Sequence, residues 1–228
     1  MANWLGVAEP SPRGFLIVGA NAFSRAVAKE LMRHDFRCVL ADSNWDNIRQ
    51  ARMDGLDTFY GNPVSEHADV HLDLSGIGGL LALSHQRYVN VIAAIHYRAD
   101  FGENRIFCLA TAAEQREAEK HSVSGSFQGS RLFGAEISYS DVLGMVVAGR
   151  TIKSTTLREE FDWATYQTKY AETRLPLFLI DSKGILKPFT ADSTLKPGSG
   201  SIVLSLSIAD EVDSKVEALA KSNQSDQA

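Results

Sequence analysis

The chain has 228 residues, a formal net charge of −5 and 44% hydrophobic residues, which is the composition of an ordinary soluble protein. There is no Lys/Arg cluster and no basic stretch interleaved with aromatic residues, so we expect no nucleic-acid partner. No apolar run approaches the roughly 20 residues of a membrane helix, and no signal peptide begins the chain. These features predict a soluble cytoplasmic chain with room for one large domain or two small ones.

The chain opens with a predicted linker and then a strand, a turn and a helix. Residues 1–13 carry two prolines and no periodicity, as linkers do. Phe15 to Val18 is a short apolar run typical of a strand buried on both faces, and Gly19 ends it where the backbone must turn. Ala22 to Met32 follows with helical spacing. The first-turn N–H groups and the dipole of that helix predict an anion site.

An acidic residue closes the next strand. Phe36 to Ala41 is the second predicted strand, and Asp42 follows it, about 20 residues beyond the turn, where a carboxylate can accept both ribose hydroxyls of an adenosine. Gly19, Asn21 and Ser24 stand where a dinucleotide-binding loop has three glycines. Asn tolerates a left-handed turn and Ser is small, so that loop geometry is possible. An ordinary βαβ unit with a solvated Asp is the alternative interpretation.

Strands and helices continue to alternate up to residue 109, which predicts a parallel sheet covered on both sides. The predicted elements are helices Trp45 to Met53 (capped by Asn44 or Ser43), Ser65 to Leu74 and Gln86 to Phe101, strands Thr58 to Tyr60, Leu80 to Ser84 and Arg105 to Leu109, and a turn at Ser75 to Gly79. Ligands of such sheets bind beyond the carboxyl ends of the strands. Four loops should therefore surround one crevice: Gly19 to Arg25, Asp42 to Asn44, Gly61 to Pro63 and Ser84 to Gln86.

The pattern changes after a charged, serine-rich segment from Thr111 to Gln128, which we interpret as a helix and a boundary loop. Short apolar or alternating runs then predict a small, mainly β domain over residues 125–212. The runs are Leu132 to Tyr139, Val142 to Val147, Thr151 to Ser154, Leu177 to Ile180, Ile185 to Phe189 and Ile202 to Leu206, with hairpin turns at Asp181 to Gly184 and Lys196 to Gly200. Residues 213–228 are predicted to be a largely disordered tail.

Ser84 and His85 are binding candidates because they follow the fourth predicted strand directly. Ser84 can donate to a phosphate, and His85 can contact a ribose or the second half of a dinucleotide. A loop without a binding role is the alternative.

Other candidates favour structural roles. His67 and His71 lie four residues apart, but no third ligand accompanies them, so a solvated helix surface is favoured over a metal site. Cys38 and Cys108 fall in predicted strands and suit buried, reduced thiols. Trp45 and Trp163 are interpreted as packing residues. No Ser–His–Asp or Cys–His arrangement appears, and no Lys or Tyr is placed like a hydride-transfer acid, so we predict no catalytic residue and no metal.

Four segments carry a family resemblance: GFLIVGANAFSRAVAKEL, CVLADSNWDNIRQARMDGLDTFYGNP, LDLSGIGGLLALS and YVNVIAAIHYRADFGENRIFCLAT. Over residues 14–110 the chain resembles the regulator-of-potassium-conductance (RCK) domains, also called TrkA-N or KTN domains. With the linker NWLGVAEPSPRGFLIVGA and the later segments LFGAEISYSDV and RLPLFLIDSKGILKP, it resembles the cytoplasmic C-terminal region of bacterial monovalent cation:proton antiporters of the sodium/hydrogen exchanger type.

The resemblance implies an α/β chain with a Rossmann-like, TrkA-N-type parallel sheet over residues 14–124, followed by the small β domain. It further implies a regulatory domain that is not an enzyme, binds an adenine nucleotide such as AMP or NAD(H), and forms a homodimer. The nucleotide would control ion transport by a membrane antiporter domain of the same natural polypeptide, at the cytoplasmic face of the bacterial inner membrane.

The same resemblance places the first phosphates on the turn Gly19 to Ala22 and on Arg25, the ribose on Asp42, and the adenine near Ser43, Asn44 and the Gly61–Asn62 turn. The complete predicted binding set is Gly19, Ala20, Asn21, Ala22, Phe23, Ser24, Arg25, Asp42, Ser43, Asn44, Gly61, Asn62, Ser84 and His85. Asn62 stands where many family members have Asp, and His85 lies in a turn that is often acidic or Asn-rich. These departures weaken the case for the second half of a dinucleotide.

Two other functions stay open on the sequence: an NAD-dependent oxidoreductase, and a dimerisation module with a vestigial nucleotide site. The homodimer expectation has a feature of its own, because the helix Gln86 to Phe101 carries apolar residues over more of its circumference than one sheet face needs. These are Tyr88, Val91, Ile92, Ile95 and Tyr97. A fully buried crossover helix is the alternative.

Overall fold

The structure is a computed structural model that describes residues 12–111 and 129–208. Most of the predicted linker, the predicted Thr111 to Gln128 segment apart from Thr111 itself, the domain boundary at 124/125 and the predicted tail lie outside these ranges. The first range contains β1 (Gly14–Val18), α1 (Ala22–Arg33), β2 (Cys38–Asp42), α2 (Trp45–Met53), β3 (Asp57–Tyr60), α3 (Glu66–His71), β4 (Ile77–Ala82), α4 (Arg87–His96), α5 (Arg98–Phe101), a 3-10 turn (Glu103–Arg105) and β5 (Ile106–Cys108). The second contains β6 (Ser130–Arg131), α6 (Tyr139–Val147), β7 (Ile152–Thr156), α7 (Trp163–Tyr170), β8 (Arg174–Ile180), β9 (Leu186–Pro188) and β10 (Ile202–Ser207).

The first sheet is parallel, with strand order β3-β2-β1-β4-β5-β6, which confirms the Rossmann-like expectation. All residues of β1 are buried, and successive side chains enter two different cores. Phe15 and Ile17 pack with α1 and α2, whereas Leu16 and Val18 pack with α3 and α4. Burial of each such side chain contributes roughly 1.5–3 kcal/mol, which fixes β1 at the centre of the sheet. After β3 the chain crosses back to the other side of β1, where β4 lies, so the strand order reverses next to β1. A ligand-binding crevice is therefore expected at the end of β1.

Two predictions in the first sheet were wrong in detail. The expected turn at Ser75 to Gly79 is shorter, because Gly78 and Gly79 belong to β4. A Cβ on Gly79 would lie 2.8 Å from the ring of Phe15, so this glycine admits an aromatic side chain to the core instead of making a turn. The expected helix Gln86 to Phe101 is divided at Tyr97 into α4 and α5.

The second sheet is antiparallel, with strand order β7-β10-β8-β9. The predicted hairpin turn at Asp181 to Gly184 is confirmed, because β8 pairs with β9 across it. Lys196 to Gly200 does not close a hairpin, because β10 inserts between β7 and β8 and leaves β9 at the edge.

The second range contains two helices, one on a run predicted as a strand and one where no strand was predicted. Val142 to Val147 lies in α6, which begins with a capping box in which Ser138 and Asp141 each bond to the other's backbone N–H. Helix α7 begins where Asp162 accepts the backbone N–H of Thr165 at 2.9 Å. The second domain is therefore a four-stranded sheet accompanied by two helices.

The two sheets share a common core. Ser130 in β6 pairs with Phe107 in β5, so the chain completes the first sheet before it enters the second. The ring of Phe133 contacts Phe23 of α1 at 5.9 Å and Phe178 of β8 at 5.6 Å, both edge to face. Such contacts join the domains through apolar packing, so they are expected to unfold together.

A buried carboxylate adds a polar contact between the domains. Glu30 on α1 is 5% exposed and accepts hydrogen bonds from Arg33, at 2.7 Å, and from the hydroxyl of Ser154 on β7. His34 Nε2 lies 3.1 Å from the same hydroxyl. The contact ties the last turn of α1 to β7, an edge strand of the second sheet.

We expect Glu30→Ala to lower the free energy of unfolding by about 2 kcal/mol, since hydrogen bonds to charged groups contribute roughly 1.5–3 kcal/mol. Lys29→Ala is the matched control on the same helix, because the ion pair of Lys29 with Asp54 is solvent-exposed and contributes about 0–1 kcal/mol. Urea unfolding of both variants measures the difference. Equal losses would contradict a stabilising role for the interdomain contact.

Candidate functional site

Gly19 forms the sharp turn at the end of β1. Its φ is +94°, and a Cβ would lie 2.9 Å from the Cα of Ser84, so both conformation and space require glycine. Its N–H donates to the carbonyl of Ala41 at 2.8 Å. The turn is thus held between the ends of β2 and β4.

Asn21 does not adopt the left-handed conformation that the sequence interpretation allowed. Its φ is −66°, and its side chain caps α1 by accepting the N–H of Ser24 at 3.1 Å. The amide nitrogen also donates to the carbonyl of Leu83 at 2.9 Å. Asn21 therefore replaces the second glycine of the fingerprint by a buried cap that ties α1 to the end of β4.

Asp42 organises the opposite side of the turn. Its Oδ2 accepts the N–H of Ala20 and the side-chain amide of Asn47, both at 2.8 Å, and its Oδ1 accepts the N–H of Asn44 at 2.8 Å. A carboxylate offers about four acceptor positions, so one remains for a ribose hydroxyl. To accept both ribose hydroxyls, Asp42 must release one of its protein donors.

A crevice of about 330 Å³ opens beyond the carboxyl ends of β1 to β4. We call it the strand-end crevice. It brings together seven of the predicted residues: Gly19, Asp42, Ser43, Asn44, Asn62, Ser84 and His85. Val18, Ala41, Pro63, Gln86, Tyr88 and Val89 complete its lining. Its volume falls at the lower end of the usual range for small-molecule sites, roughly 300–1,000 Å³.

The structure does not bring the predicted residues from Ala20 to Arg25, nor Gly61, into that lining. Arg25 is the largest departure, because its guanidinium donates to the carbonyl of Ala20 at 2.8 Å and pairs with Asp54 at 3.2 Å. This places the guanidinium charge next to Asp54 at the end of α2. Phe23 belongs to the core shared by the two sheets. The N–H of Gly61 donates to the backbone carbonyl of Asp42 at 3.0 Å.

Backbone N–H groups are the donors left for an anion at α1. Among the hydrogen bonds of residues 12–111 and 129–208, none engages the N–H of Ala22 or Phe23, whereas Ala20 donates to Asp42 and Ser24 to Asn21. The hydroxyl of Ser24 is buried and has no partner in the same ranges. The donors that remain for the predicted anion site are therefore backbone N–H groups in the first turn of α1, since Arg25 contacts Ala20 and Asp54.

Ser84 is held rigidly at the end of β4. Buried Asn90 accepts its N–H at 3.1 Å and donates to its carbonyl at 2.9 Å, and its hydroxyl oxygen accepts the N–H of Gln86 at 3.1 Å. The hydroxyl proton can still be donated into the crevice. Tyr88 completes this rim by donating to the side-chain oxygen of Gln86 at 2.7 Å.

The sequence analysis did not place Tyr88 and Val89 in the crevice lining, and it missed three residues that contact lining residues: Asn47, Asn90 and Tyr139. Asn47 lies one helical turn into α2, where its amide reaches Asp42 only because Asn44 fixes the start of that helix. Tyr139 comes from the second domain, and its ring lies 6.1 Å from that of His85. Burial, and next the charge of Asp42, raise the pKa of Tyr139 above its ordinary value, so the phenol is neutral at pH 7.

The structure shows what surrounds the His, Cys and Trp side chains for which the sequence favoured structural roles. The rings of His67 and His71 stack at 4.2 Å, and nowhere in the described part of the chain do three or more His, Cys, Asp or Glu side chains form a group that could hold a metal ion. Burial raises the pKa of Cys38 to about 12, as expected for an inert thiol, but Cys108 is partly exposed. Trp163 stacks on Tyr166 and Phe189, which confirms a packing role.

Trp45 differs from that interpretation. It is half exposed and contacts Tyr60 edge to face at 5.3 Å, and it directly follows Asn44, which lines the crevice. None of the helices in residues 12–111 and 129–208 has both the length and the apolar character needed to cross a bilayer.

Three features together are typical of a Rossmann-like domain. They are a parallel sheet with a glycine turn after β1, a carboxylate at the end of β2 and a crevice across the strand ends. Residues 15–125 match the family model of the TrkA-N domain, and this part of the chain is a TrkA-N domain.

Solved structures similar to the chain include three of low identity. The NAD(P)-binding domain of an exopolyphosphatase-related protein from Archaeoglobus fulgidus is 14% identical with a TM-score of 0.41, over 60% of this chain and 96% of that one. The GsuK channel bound to NAD is 11% identical with a TM-score of 0.44, over 86% of this chain and 36% of that one. The GsuK RCK domain is 11% identical with a TM-score of 0.42, over 92% of this chain and 46% of that one. The chain thus spans less than half the length of these GsuK chains. No curated protein matches.

Proposed function

We propose that this chain is a regulatory module that binds an adenine nucleotide, AMP or NAD(H), in the strand-end crevice. The observation that carries the proposal is the position of Asp42, which closes β2 and faces the same crevice as the Gly19 turn in a TrkA-N domain. Its carboxylate is the ribose acceptor, and Asp in place of Arg favours a free 2′-hydroxyl over a 2′-phosphate. The role is one of binding and not of catalysis.

The proposed contacts follow from the unused hydrogen-bonding groups. The N–H groups of Ala22 and Phe23, which follow the Gly19 turn and lie outside the crevice lining, receive the phosphate at the start of α1, helped by the dipole of a 12-residue helix. Ser43, Asn44 and Asn62 lie at the ends of β2 and β3 and surround the base. Ser84 supplies a hydroxyl donor from the opposite rim.

Thermal unfolding with AMP, ATP, NAD and NADH tests the proposal most directly. A ligand at 100 times its dissociation constant stabilises the folded state by about 2.7 kcal/mol. We therefore expect at least one adenine nucleotide to raise Tm in a concentration-dependent manner, while GMP or UMP does not. If none of the four nucleotides changes Tm, the alternative of a dimerisation module with a vestigial nucleotide site is favoured.

The regulatory part of the proposal concerns an attached membrane antiporter. A nucleotide that binds one arrangement of the domains more tightly shifts the population toward it, and this shift is the proposed signal for cation:proton exchange. The proposal expects the natural polypeptide to extend upstream of Met1 into apolar spans. Cation-driven proton flux in vesicles, with and without nucleotide, measures the coupling, and flux that ignores nucleotide would contradict it.

A homodimer is the second part of the proposed assembly, and the structure divides the expected apolar surface into two faces. Ala93, Ala94 and Tyr97 are buried against the sheet, so Tyr97 does not belong to a docking surface. Tyr88, Ile92 and Ile95 are exposed on the outer face of α4, at 63%, 47% and 54%. Exposed side chains at helical spacing of this kind are typical of helix-mediated association.

We expect Ile92→Glu to convert a micromolar dimer into a monomer, because it buries a charge in the proposed apolar contact. Met53→Glu is the matched control, since Met53 is 76% exposed on α2, which is not part of that contact. Sedimentation velocity measures both variants. A wild-type monomer, or an equal effect of the two substitutions, would refute dimerisation through α4.

A further inference from the structure

The carboxyl end of β5 is covered by the start of the second domain. The N–H of Tyr139 donates to the carbonyl of Ala110 at 2.7 Å, and Ser138 forms a parallel bridge with Ala110. Asp141 fixes this geometry, because its carboxylate accepts the N–H of Ser138 at 2.9 Å and its hydroxyl at 2.6 Å. The first turn of α6 is therefore pinned directly to the strand end.

This cover leaves the end of β5 outside the strand-end crevice. Its lining comes from the ends of β1, β2, β3 and β4, and no residue of the β5 end, Leu109 to Thr111, contributes. In an open α/β sheet, a dinucleotide spans the point where strand order reverses, with its two halves on opposite sides of that point. The β2 and β3 side is the adenosine side here, since Asp42 lies there. The second half would have to lie over β4 and β5.

The ring of Tyr139 stands at the boundary of these two regions. It is partly buried against the shared core, 6.1 Å from the ring of His85, which follows β4. His85 lines the strand-end crevice, so the ring of Tyr139 lies next to the rim of that crevice at the end of β4. A neutral phenol in this position can donate a hydrogen bond to a phosphate or a ribose.

We propose that Tyr139 closes the crevice on the β5 side and makes it a mononucleotide site, one that accepts an adenosine mono- or diphosphate and excludes a dinucleotide. This inference rests on the proposed function and selects between its two ligand classes. The residue that sets the selectivity belongs to the second domain, so an occupied site contacts both domains at once. Ligand binding would then stabilise the packing of α6 on α1.

Calorimetric titration of the whole chain with AMP and with NAD tests the inference. We expect wild type to bind AMP at least about tenfold more tightly, and we expect Tyr139→Ala to reduce this preference about tenfold by removing the obstruction. Tyr139→Phe keeps the ring and should keep the preference. Tyr139→Leu serves if the alanine variant does not fold, and Tyr170→Ala, in α7, is the control for a tyrosine change remote from the crevice.

The possible results distinguish failure of the mononucleotide inference from failure of the proposed adenine-nucleotide function. Wild-type binding of NAD within about threefold of AMP overturns the mononucleotide inference and leaves the proposed adenine-nucleotide function in place. An AMP preference that Tyr139→Ala and Tyr139→Leu both retain also overturns it, since the selectivity would then lie elsewhere. If neither AMP nor NAD binds, the proposed function and the inference are both overturned.

Discussion

Replacing Gly19 by alanine is expected to lower the free energy of unfolding by about 3 kcal/mol or more and to abolish nucleotide binding. Two physical effects add at this position. The φ of +94° is strained for any residue with a Cβ, and that Cβ would lie 2.9 Å from the Cα and 3.0 Å from the N of Ser84. Because the colliding atoms are backbone, β1 and β4 must separate where they form the crevice.

Gly55→Ala is the control that isolates the conformational part of this loss. Its φ is +75°, and a Cβ there would meet nothing within 4 Å. We expect it to cost about 1 kcal/mol and to leave nucleotide affinity unchanged. Urea unfolding and calorimetry of the two variants provide the comparison. If both glycines cost the same, the close approach of Ser84 carries no energy and the crevice is less rigid than the contacts indicate.

The arrangement of β1, α1, β2 and Asp42 could be predicted because its signals are local. A continuous apolar run predicts a strand buried on both faces. The glycine after β1 and the acidic residue after β2 indicate the turn and the strand end that lie next to each other at the crevice. The destination of Arg25 could not be predicted in this way. Its position one turn into α1 suits a phosphate equally well, and the choice of Asp54 depends on where α2 ends.

The second domain was harder to predict for a different reason. A short apolar run such as Val142 to Val147 fits a strand or a buried helix, and periodicity does not separate them. The pattern of Ser138 and Asp141 before that run is a helix start signal that favours the correct choice. The role that we propose for Tyr139 had no sequence signal, because it depends on the bridge between Ser138 and Ala110 and on the hydrogen bond from the Tyr139 N–H to Ala110.

Asp42→Ala is expected to weaken adenine-nucleotide binding by roughly 10- to 150-fold, since a hydrogen bond to a charged group is worth about 1.5–3 kcal/mol. The structure adds a second consequence. The carboxylate accepts the N–H groups of Ala20 and Asn44 and the amide of Asn47, so its removal also leaves the turn without its organiser. A loss of affinity in this variant therefore has two candidate causes.

Asn47→Ala separates them. It removes one of the two donors to Oδ2 but keeps the charge, and it frees an acceptor position for the second ribose hydroxyl. If Asp42 binds the ribose directly, calorimetry should show Asn47→Ala near wild-type affinity and Asp42→Ala far below it. Equal losses would assign Asp42 to holding the turn and not to contacting the ligand, because the carboxylate survives in only one of the two variants. The ribose contact would then have to come from another group in the crevice, and the preference against a 2′-phosphate would lose its physical basis.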